Sequence, residues 1–243
     1  MTNRDLVIFL PGGGATDEEL APLKTIVEAD GRFRMVSFPG WRRYASNEFS
    51  ADLLIGEVAA YVESEAPTGP LRIVGLSLGA HVGYAAAVRL QSRGREVVGF
   101  CAIDGTMSGY PWRQGLQLLK ERQFRVLWAT AMAKARHSLI RLRGTKGPLH
   151  AKADSDVATP PSLVLWLASA RTWTLSLDFN PVPLNASNAL VRTRPSAADD
   201  KVWKRRCPGI RILQVPGTHH TFMDSQHINS FRLAMATAIC DWR

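Results

Sequence analysis

A short segment flanked by glycines constrains this sequence more than any other part of it. Residues 71–79 read Leu-Arg-Ile-Val-Gly-Leu-Ser-Leu-Gly, an apolar run that leads into Ser77 between two glycines, and a small-residue helical pattern follows at Ala80–Leu90. This order predicts a strand, a sharp turn and a helix, the arrangement called a nucleophile elbow, because bulky neighbours of the serine would collide with the strand or the helix. Ser77 is therefore the candidate nucleophile. It would lie where the unpaired N–H groups of a helix N-terminus favour a developing negative charge.

Strand and helix patterns alternate along much of the chain. The run Val97–Ile103 is uninterrupted enough to predict a central parallel strand that is buried on both faces. Between about residues 106 and 185 the alternation stops, and helical segments broken by glycine and proline indicate an inserted lid. We therefore expect one α/β domain over residues 1–243, with a mostly parallel central sheet, flanking helices and a helical lid. The other predicted strands are Leu6–Leu10, Phe33–Phe38, Leu71–Val74, Ala189–Arg192 and Ile210–Val215, and the other predicted helices are Asp17–Ala29, Phe49–Glu65, Ala80–Leu90 and Ser225–Trp242.

Composition argues against several classes of protein. The 243 residues, 46% of them hydrophobic, suit one domain with a substantial core. No apolar segment approaches the roughly 20 residues needed to span a bilayer, and no secretory signal pattern is evident, so we expect a cytoplasmic protein without membrane insertion. Cys101, Cys207 and Cys240 lack Cys-x-x-Cys spacing and the histidines lack ligand-like spacing, so neither a disulfide framework nor a metal site is indicated.

The net charge of +9 is unevenly distributed. Between Met107 and Pro160 there are ten Lys or Arg residues against three acidic ones, an excess of seven positive charges in the predicted lid. Such a segment is a candidate surface for an anionic partner. A solvated helix face with a basic bias is the equally compatible alternative.

Two further chemical groups are predicted to reach the sheet edge that holds Ser77. Functional groups of an open parallel sheet collect beyond the carboxyl ends of its strands. Asp104 directly follows the strand Val97–Ile103, and His219 lies in the loop after the strand Ile210–Val215. The chain order serine, aspartate, histidine is that of the catalytic triad in α/β-hydrolases.

Each of these assignments has a competitor. His220 adjoins His219 and is a second candidate for the base, because a sequence places a loop residue only to within one or two positions. Asp199 and Asp200 are late candidates for the acid. Asp104 could also be an ordinary turn residue, since Asp-Gly is common in turns.

A glycine-rich loop is predicted to complete the site. The first strand ends at Pro-Gly-Gly-Gly, residues 11–14, where glycines let the backbone approach a substrate. The backbone N–H groups of Gly13 and Leu78 would then form an oxyanion hole, in which each donor is typically worth about 3 kcal/mol. Phosphate binding is the weaker alternative, because the loop lacks the Gly-x-Gly-x-x-Gly spacing and a nearby Lys-Ser or Lys-Thr.

Several of these segments together resemble the thioesterase domains of nonribosomal peptide and polyketide synthases. The resemblance covers nearly the whole chain and is loosest in the lid. It implies an α/β-hydrolase fold, and release of an acyl, peptidyl or polyketide chain from the phosphopantetheine arm of a carrier protein by hydrolysis or cyclisation. The implied partner is an acyl or peptidyl carrier protein rather than nucleic acid, and no cofactor of the enzyme's own is implied. The matching segments are residues 7–12, 38–40, 75–81, 103–104 and 215–219.

The same resemblance bears on the competing residues. Its Gly-x-His pattern selects His219, and Asp104 matches the terminal, or type I, branch of the family, in which the acid follows the strand after the elbow helix. In the discrete editing, or type II, branch the acid comes later, near the histidine. A type II enzyme, a general carboxylesterase or lipase-like hydrolase of small esters, and a noncatalytic binding module are the alternatives. A degenerate module is the least favoured, because Ser77, Asp104 and His219 are all present.

Aromatic residues are frequent in the predicted lid. Trp112, Trp128, Trp166 and Trp173 lie there among leucine, phenylalanine and methionine residues. The first three are candidates to line a pocket for an apolar acyl group, since ligand sites are mostly apolar and aromatic. They could equally form the core of the lid itself.

Overall fold

A six-stranded parallel sheet forms the centre of the protein. The structure is a computed structural model and describes residues 6–12, 21, 24–25, 27–29, 31–36, 51–105, 181–219 and 221–242. The strand order is β2-β1-β3-β4-β5-β6, and every neighbouring pair is parallel. The strands are β1 (Val7–Leu10), β2 (Phe33–Met35), β3 (Leu71–Leu76), β4 (Val97–Ile103), β5 (Ser187–Arg192) and β6 (Arg211–Gln214).

Helices cover both faces of the sheet, which explains the uninterrupted apolar strands. Side chains of a strand alternate between its faces, and on β1 Ile8 and Leu10 join one core whereas Val7 and Phe9 join the other. Full burial of one such side chain is worth roughly 1.5–3 kcal/mol, so both faces stabilise the sheet. The helices are α1 (Ala51–Glu65), α2 (Leu78–Ser92), α3 (Ala197–Arg206) and α4 (Ile228–Ile239). Residues of α1, α2 and α3 contribute to the first core and residues of α4 to the second.

Most predicted elements in the described part of the chain are present. The prediction for β4 is confirmed at both ends, and β3 extends two residues further than expected, to Leu76. Helix α3 was not predicted, because its sequence is strongly polar and shows no apolar periodicity. Its start does have a capping signal: the Ser196 side chain accepts a hydrogen bond of 3.2 Å from the Asp199 N–H. In the predicted helix 17–29, residues 21, 24–25 and 27–28 are helical, residue 29 is in a turn, and the others lie outside the described residues. The predicted lid lies outside them as well, except for residues 181–185.

The amino ends of the central strands are closed by the chain segment that follows α4. We call this region the amino edge and define it by Arg72, Gly99, Ser187 and Trp242. The Arg72 Nε donates to the Trp242 carbonyl oxygen at 2.9 Å, and the Trp242 indole N–H donates to the Ser187 carbonyl oxygen at 3.1 Å. The indole ring lies so close to Gly99 that a Cβ atom there would come within 2.1 Å of it. Trp242 therefore binds the sheet through both its backbone and its ring.

The cysteines are separate from one another, and all three are free thiols. Cys101 and Cys207 are buried, and burial raises the pKa of both thiols to about 12. Cys240 is exposed at the end of α4. In the described part of the chain, no group of three or more His, Cys, Asp or Glu residues is placed to hold a metal ion. No helix of that part has the length and apolar character needed to cross a membrane.

Candidate active site

The turn that joins β3 to α2 holds Ser77 in a strained conformation. Its backbone φ is 53° and ψ is −117°, a region that costs a residue with a side chain of the order of 1–3 kcal/mol. The turn is possible because the residues two positions before and two positions after Ser77 are glycines. A Cβ atom on Gly75 would lie 2.2 Å from the Gly79 carbonyl oxygen, and a Cβ on Gly79 would lie 2.3 Å from the Pro11 carbonyl oxygen. The elbow predicted from the sequence is therefore present, with Ser77 at its apex.

Asp104 follows β4 and occupies the neighbouring position at the same edge of the sheet. The Ser77 N–H donates to the Ile103 carbonyl oxygen at 2.8 Å, which ties the serine turn to the residue before Asp104. Asp104 is the other non-glycine residue with a positive φ, 45°, among those described, and its side chain is only 2% exposed. The next residue, Gly105, accepts a hydrogen bond of 2.8 Å from the Trp203 indole. This bond helps to fix the turn that follows β4.

His219 reaches Asp104 from the loop after β6. The distance from His219 Nδ1 to Asp104 Oδ2 is 2.5 Å, and the histidine side chain remains 37% exposed. A bond from Nδ1–H to the carboxylate leaves Nε2 of a neutral imidazole as a proton acceptor. The pairing of Asp104 with His219 expected from the sequence is thus present, and a serine hydroxyl, an aspartate and a partly exposed imidazole follow the carboxyl ends of β3, β4 and β6.

The other carboxylate oxygen of Asp104 is also occupied. Thr193 donates to Asp104 Oδ1 from its backbone N–H at 3.0 Å and from its hydroxyl at 3.1 Å. Burial raises the pKa of the Asp104 carboxyl, but the hydrogen bonds from His219 and Thr193 and the charge of His219 together lower it below its usual value. Asp104 is therefore held as a carboxylate although it is buried.

The backbone around Ser77 holds Leu78, one of the two donors expected for an oxyanion hole. Helix α2 begins at Leu78, so its first N–H groups have no acceptor within the helix. Gly12 lies close to the serine: a Cβ atom added to Gly12 would be 3.4 Å from Ser77 Cβ. The glycine-rich loop thus approaches the candidate nucleophile, as the sequence predicted. Gly13, the second expected donor, is outside the described residues.

The competing acids have other roles in the structure. Asp200 Oδ1 forms an ion pair with Arg192 Nη1. Asp199 is 4% exposed and its N–H is bound by the Ser196 cap at the start of α3. His219 is bonded to Asp104, so the geometry favours Asp104 over both. The competing base His220 lies outside the described residues, as do Trp112, Trp128, Trp166, Trp173 and the basic segment 107–160.

A buried cluster next to the elbow helix was not predicted from the sequence. It consists of His81, Tyr84, Trp203 and Arg206. Arg206 of α3 is fully buried, with its guanidinium 5.1 Å from the centre of the Tyr84 ring and 5.2 Å from that of Trp203. Its Nη1 lies 2.9 Å from Nδ1 of His81, which stacks on Trp203. An arginine can only donate, so His81 Nδ1 accepts, and His81 has a packing and hydrogen-bonding role. The cluster joins α3 to the elbow helix.

Comparisons with known proteins agree with this fold. The family model described as thioesterase domain matches residues 4–234. No curated protein sequence matches the chain. Three solved structures with similar folds illustrate the range of relatives, and their identities of 16–17% show the fold alone.

The first of the three is the NocB thioesterase domain in covalent complex with a fluorophosphonate nocardicin G analog, at 17% identity and a TM-score of 0.61, covering 96% of this chain and 94% of that one. The RedJ thioesterase from the prodiginine pathway of Streptomyces coelicolor has 16% identity and a TM-score of 0.58, covering 97% and 90%. Human thioesterase 2 has 16% identity and a TM-score of 0.56, covering 97% and 96%.

Proposed function

The chain belongs to the thioesterase-domain family, and we propose that it is a serine thioesterase of the α/β-hydrolase fold. In this proposal it releases an acyl, peptidyl or polyketide chain from the phosphopantetheine thioester of a carrier protein, by hydrolysis or by cyclisation. A cytoplasmic location goes with the proposal, because the sequence favours it. The observation that supports it most is the bond between His219 and Asp104 beside the strained Ser77 turn.

The proposed mechanism has two halves. His219 Nε2 takes the proton of the Ser77 hydroxyl while Oγ attacks the thioester carbonyl carbon. The carbon–sulfur bond then breaks, His219 returns the proton to the leaving thiol, and an acyl-serine remains. In the second half, water or a nucleophile within the acyl chain loses a proton to His219 and attacks the ester carbon. The bond from this carbon to Ser77 Oγ then breaks, and His219 returns the proton to Oγ. Asp104 stabilises the imidazolium that forms in each half.

The negative charge on the carbonyl oxygen is stabilised by backbone donors. The Leu78 N–H at the start of α2 is one proposed donor, and the positive end of the helix dipole adds to its effect. The Gly13 N–H is the other proposed donor, supported by the close approach of neighbouring Gly12 to Ser77. These donors would stabilise an oxyanion without any metal ion or cofactor.

A covalent probe tests the nucleophile. Wild-type protein treated with an alkyl fluorophosphonate is expected to gain the mass of one phosphonyl group, and Ser77→Ala is expected to gain none. The same variant should lose turnover of an acyl-pantetheine by about 10⁶-fold, because the nucleophile itself is removed. Undiminished labelling of Ser77→Ala, with the label on another residue by peptide mapping, would contradict the proposal.

A substrate comparison tests the thioester and the carrier. The same acyl group is presented on free pantetheine, on an acidic carrier protein and as an oxygen ester of matched chain length. The proposal expects the largest kcat/KM on the carrier and the smallest on the ester. A preference for the ester would favour a general esterase instead.

The basic segment provides the matched variant for the carrier. Replacement of Arg136, Arg141 and Arg143 by Gln removes three of its positive charges. We expect slower reaction with the acyl-carrier and an unchanged rate with acyl-pantetheine, because opposite charges chiefly accelerate encounter. The difference should shrink as salt is added, since exposed charges more than about 8 Å apart are screened at physiological ionic strength. Equal rates on the carrier across a salt series would rule out docking through these arginines.

A further inference from the structure

Thr193 lies where the sheet brings β5 next to the acid. It follows the last residue of β5, and β5 pairs in parallel with β4, whose next residue is Asp104. The Asp104 N–H donates to the Val191 carbonyl oxygen at 2.7 Å, which fixes the backbones of the two strand ends together. Thr193 is itself buried, with 8% of its surface exposed. The buried Thr193 hydroxyl donates a hydrogen bond to the buried Asp104 carboxylate, at Oδ1.

The two oxygens of the carboxylate have separate partners. Oδ1 accepts the N–H and the hydroxyl of Thr193, and Oδ2 faces His219 Nδ1. A carboxylate is a flat group whose terminal torsion is broad, so its orientation depends on such bonds. Two donors on Oδ1, close to each other and both on Thr193, restrict that rotation. Hydrogen bonds to a charged acceptor are also about twice as strong as those between neutral groups.

We propose that Thr193 is a positioning residue for the reaction: its hydroxyl and N–H together orient the Asp104 carboxylate so that Oδ2 stays bonded to His219. The proposal rests on the proposed function, in which His219 is the base. Thr193 acts through Asp104 and does not touch the substrate. Its contribution is greatest when His219 holds a proton, because a misaligned carboxylate then stabilises the imidazolium less well.

Substitution at this position separates the hydroxyl from the backbone. Thr193→Val has nearly the same shape and retains the N–H bond to Oδ1, but it lacks the hydroxyl bond. Thr193→Ser retains the hydroxyl with one methyl group fewer. Thr193→Ala lacks both the hydroxyl and the methyl group. Thr237→Val is the matched control, because the Thr237 hydroxyl bonds the Leu233 carbonyl oxygen on the exposed side of α4.

The kinetic test uses acyl-pantetheine and the full chain. Thr193→Val and Thr193→Ala should lower kcat by about tenfold, the fold-change that corresponds to loss of one ordinary hydrogen-bond contribution, with KM unchanged. Thr193→Ser should recover most of the loss, and Thr237→Val should match wild type. The rate of fluorophosphonate labelling should fall with kcat, since labelling needs the same base. Equal kcat for Thr193→Val and wild type would overturn the proposal, and so would equal losses in Thr193→Val and Thr193→Ser.

A second readout does not depend on turnover. The His219 Nδ1–H proton, bonded to a carboxylate, should give a low-field proton NMR signal that is absent from Asp104→Asn. Thr193→Val should broaden or shift this signal by loosening the bond, whereas Thr193→Ser and Thr237→Val should leave it unchanged. A wild-type signal in Thr193→Val would overturn the positioning role. If wild type and the variants show this pattern of signals but wild type has no thioesterase activity, the proposed function fails while the role of Thr193 in orienting Asp104 stands.

Discussion

The two ends of the same parallel strands are built in contrasting ways. At the carboxyl edge, defined by Gly12, Ser77, Asp104, Thr193 and His219, two non-glycine residues have positive φ and the imidazole is partly exposed. At the amino edge, Arg72 and the Trp242 indole are bonded to backbone carbonyl oxygens, and the indole ring closes over the sheet. The carboxyl edge retains backbone strain and a partly exposed imidazole, whereas the amino edge is closed by hydrogen bonds and packing.

The difference indicates that the residues expected to determine activity and those expected to determine stability lie at opposite ends of the strands. A residue in a rarely populated backbone conformation persists only when its surroundings determine it, and such residues cluster at active sites. The elbow glycines, the Trp203 bond to Gly105 and the core of the sheet provide those surroundings. Substitutions at the carboxyl edge should therefore change activity more than stability, and substitutions at the amino edge should do the reverse.

The largest expected effect is on turnover at the carboxyl edge. Asp104→Asn should lower kcat by about 10⁴-fold, because an amide does not hold the imidazole in the required tautomer. Asp200→Asn, which removes only the ion pair with Arg192, should cause a far smaller loss. Both are measured on one acyl-pantetheine at saturation. A greater loss for Asp200→Asn would break the assignment of the acid to this edge and favour a late acid.

The next effect is on stability at the amino edge. Trp242→Ala should lower the free energy of unfolding by roughly 3–5 kcal/mol, the usual cost of removing a buried aromatic ring. The kcat of the protein that remains folded should stay near that of wild type. Leu233→Ala is the control, since Leu233 is 71% exposed on α4. Urea unfolding of the three proteins decides the point, and a Trp242→Ala protein as stable as wild type but slow in turnover would reverse the comparison.

A smaller effect tests the strain at Ser77 directly. Ser77→Gly should be more stable than Ser77→Ala by about 1–2 kcal/mol, because glycine adopts φ of 53° without a side-chain penalty. This corresponds to a rise in Tm of about 2–4 °C per kcal/mol for a chain of this size. At Ser187 in β5, where the backbone is ordinary strand, the order should be opposite, with Ser187→Gly less stable than Ser187→Ala. Equal melting temperatures for the two Ser77 variants would mean that the turn is not strained.

The smallest effect is a dependence of stability on pH. The folded pKa of Asp104 is lowered, so the unfolded chain binds the proton more readily and the carboxylate stabilises the fold above its unfolded pKa of about 3.9. That contribution is lost as the pH falls below about 4 and through the folded pKa. Asp104→Asn lacks this group, so the stability advantage of wild type over the variant should shrink as the pH falls in that range. An advantage that grows on acidification would contradict the direction of the shift.

The parts that the sequence predicted are those with local causes. Gly75 and Gly79 exclude side chains by contacts within one turn, so the elbow is visible in a few residues. Asp104 was predicted because it directly follows an apolar run. His219 was predicted because it lies in the loop after the strand Ile210–Val215 and matches the Gly-x-His pattern of the resemblance. These features depend on a strand and the residue after it.

The parts that the sequence did not predict depend on contacts between distant segments. Nothing in the sequence marks Thr193, and only the register of β4 with β5 brings it to Asp104. Trp203 and Arg206 of helix α3 are buried, although the sequence of this helix is polar and has no apolar periodicity. The Ser196 cap was the signal that could have revealed this helix. The catalytic roles of Ser77, Asp104 and His219, and the roles of Gly13 and of the tryptophans in the predicted lid, stay predictions.

The cysteines give the protein a built-in attachment point. Cys240 is exposed, whereas Cys101 and Cys207 are buried with thiol pKa values raised to about 12. The thiolate form of a cysteine is the nucleophile that attacks a thiol-specific reagent. A maleimide dye or a surface linker should therefore react at Cys240 without any engineering of the sequence. Cys240 lies near Arg211 at the start of β6. It is therefore at the amino ends of the strands, whereas Ser77 is at their carboxyl ends. Protein tethered through this thiol would present its carboxyl edge to the solution, oriented alike in every molecule.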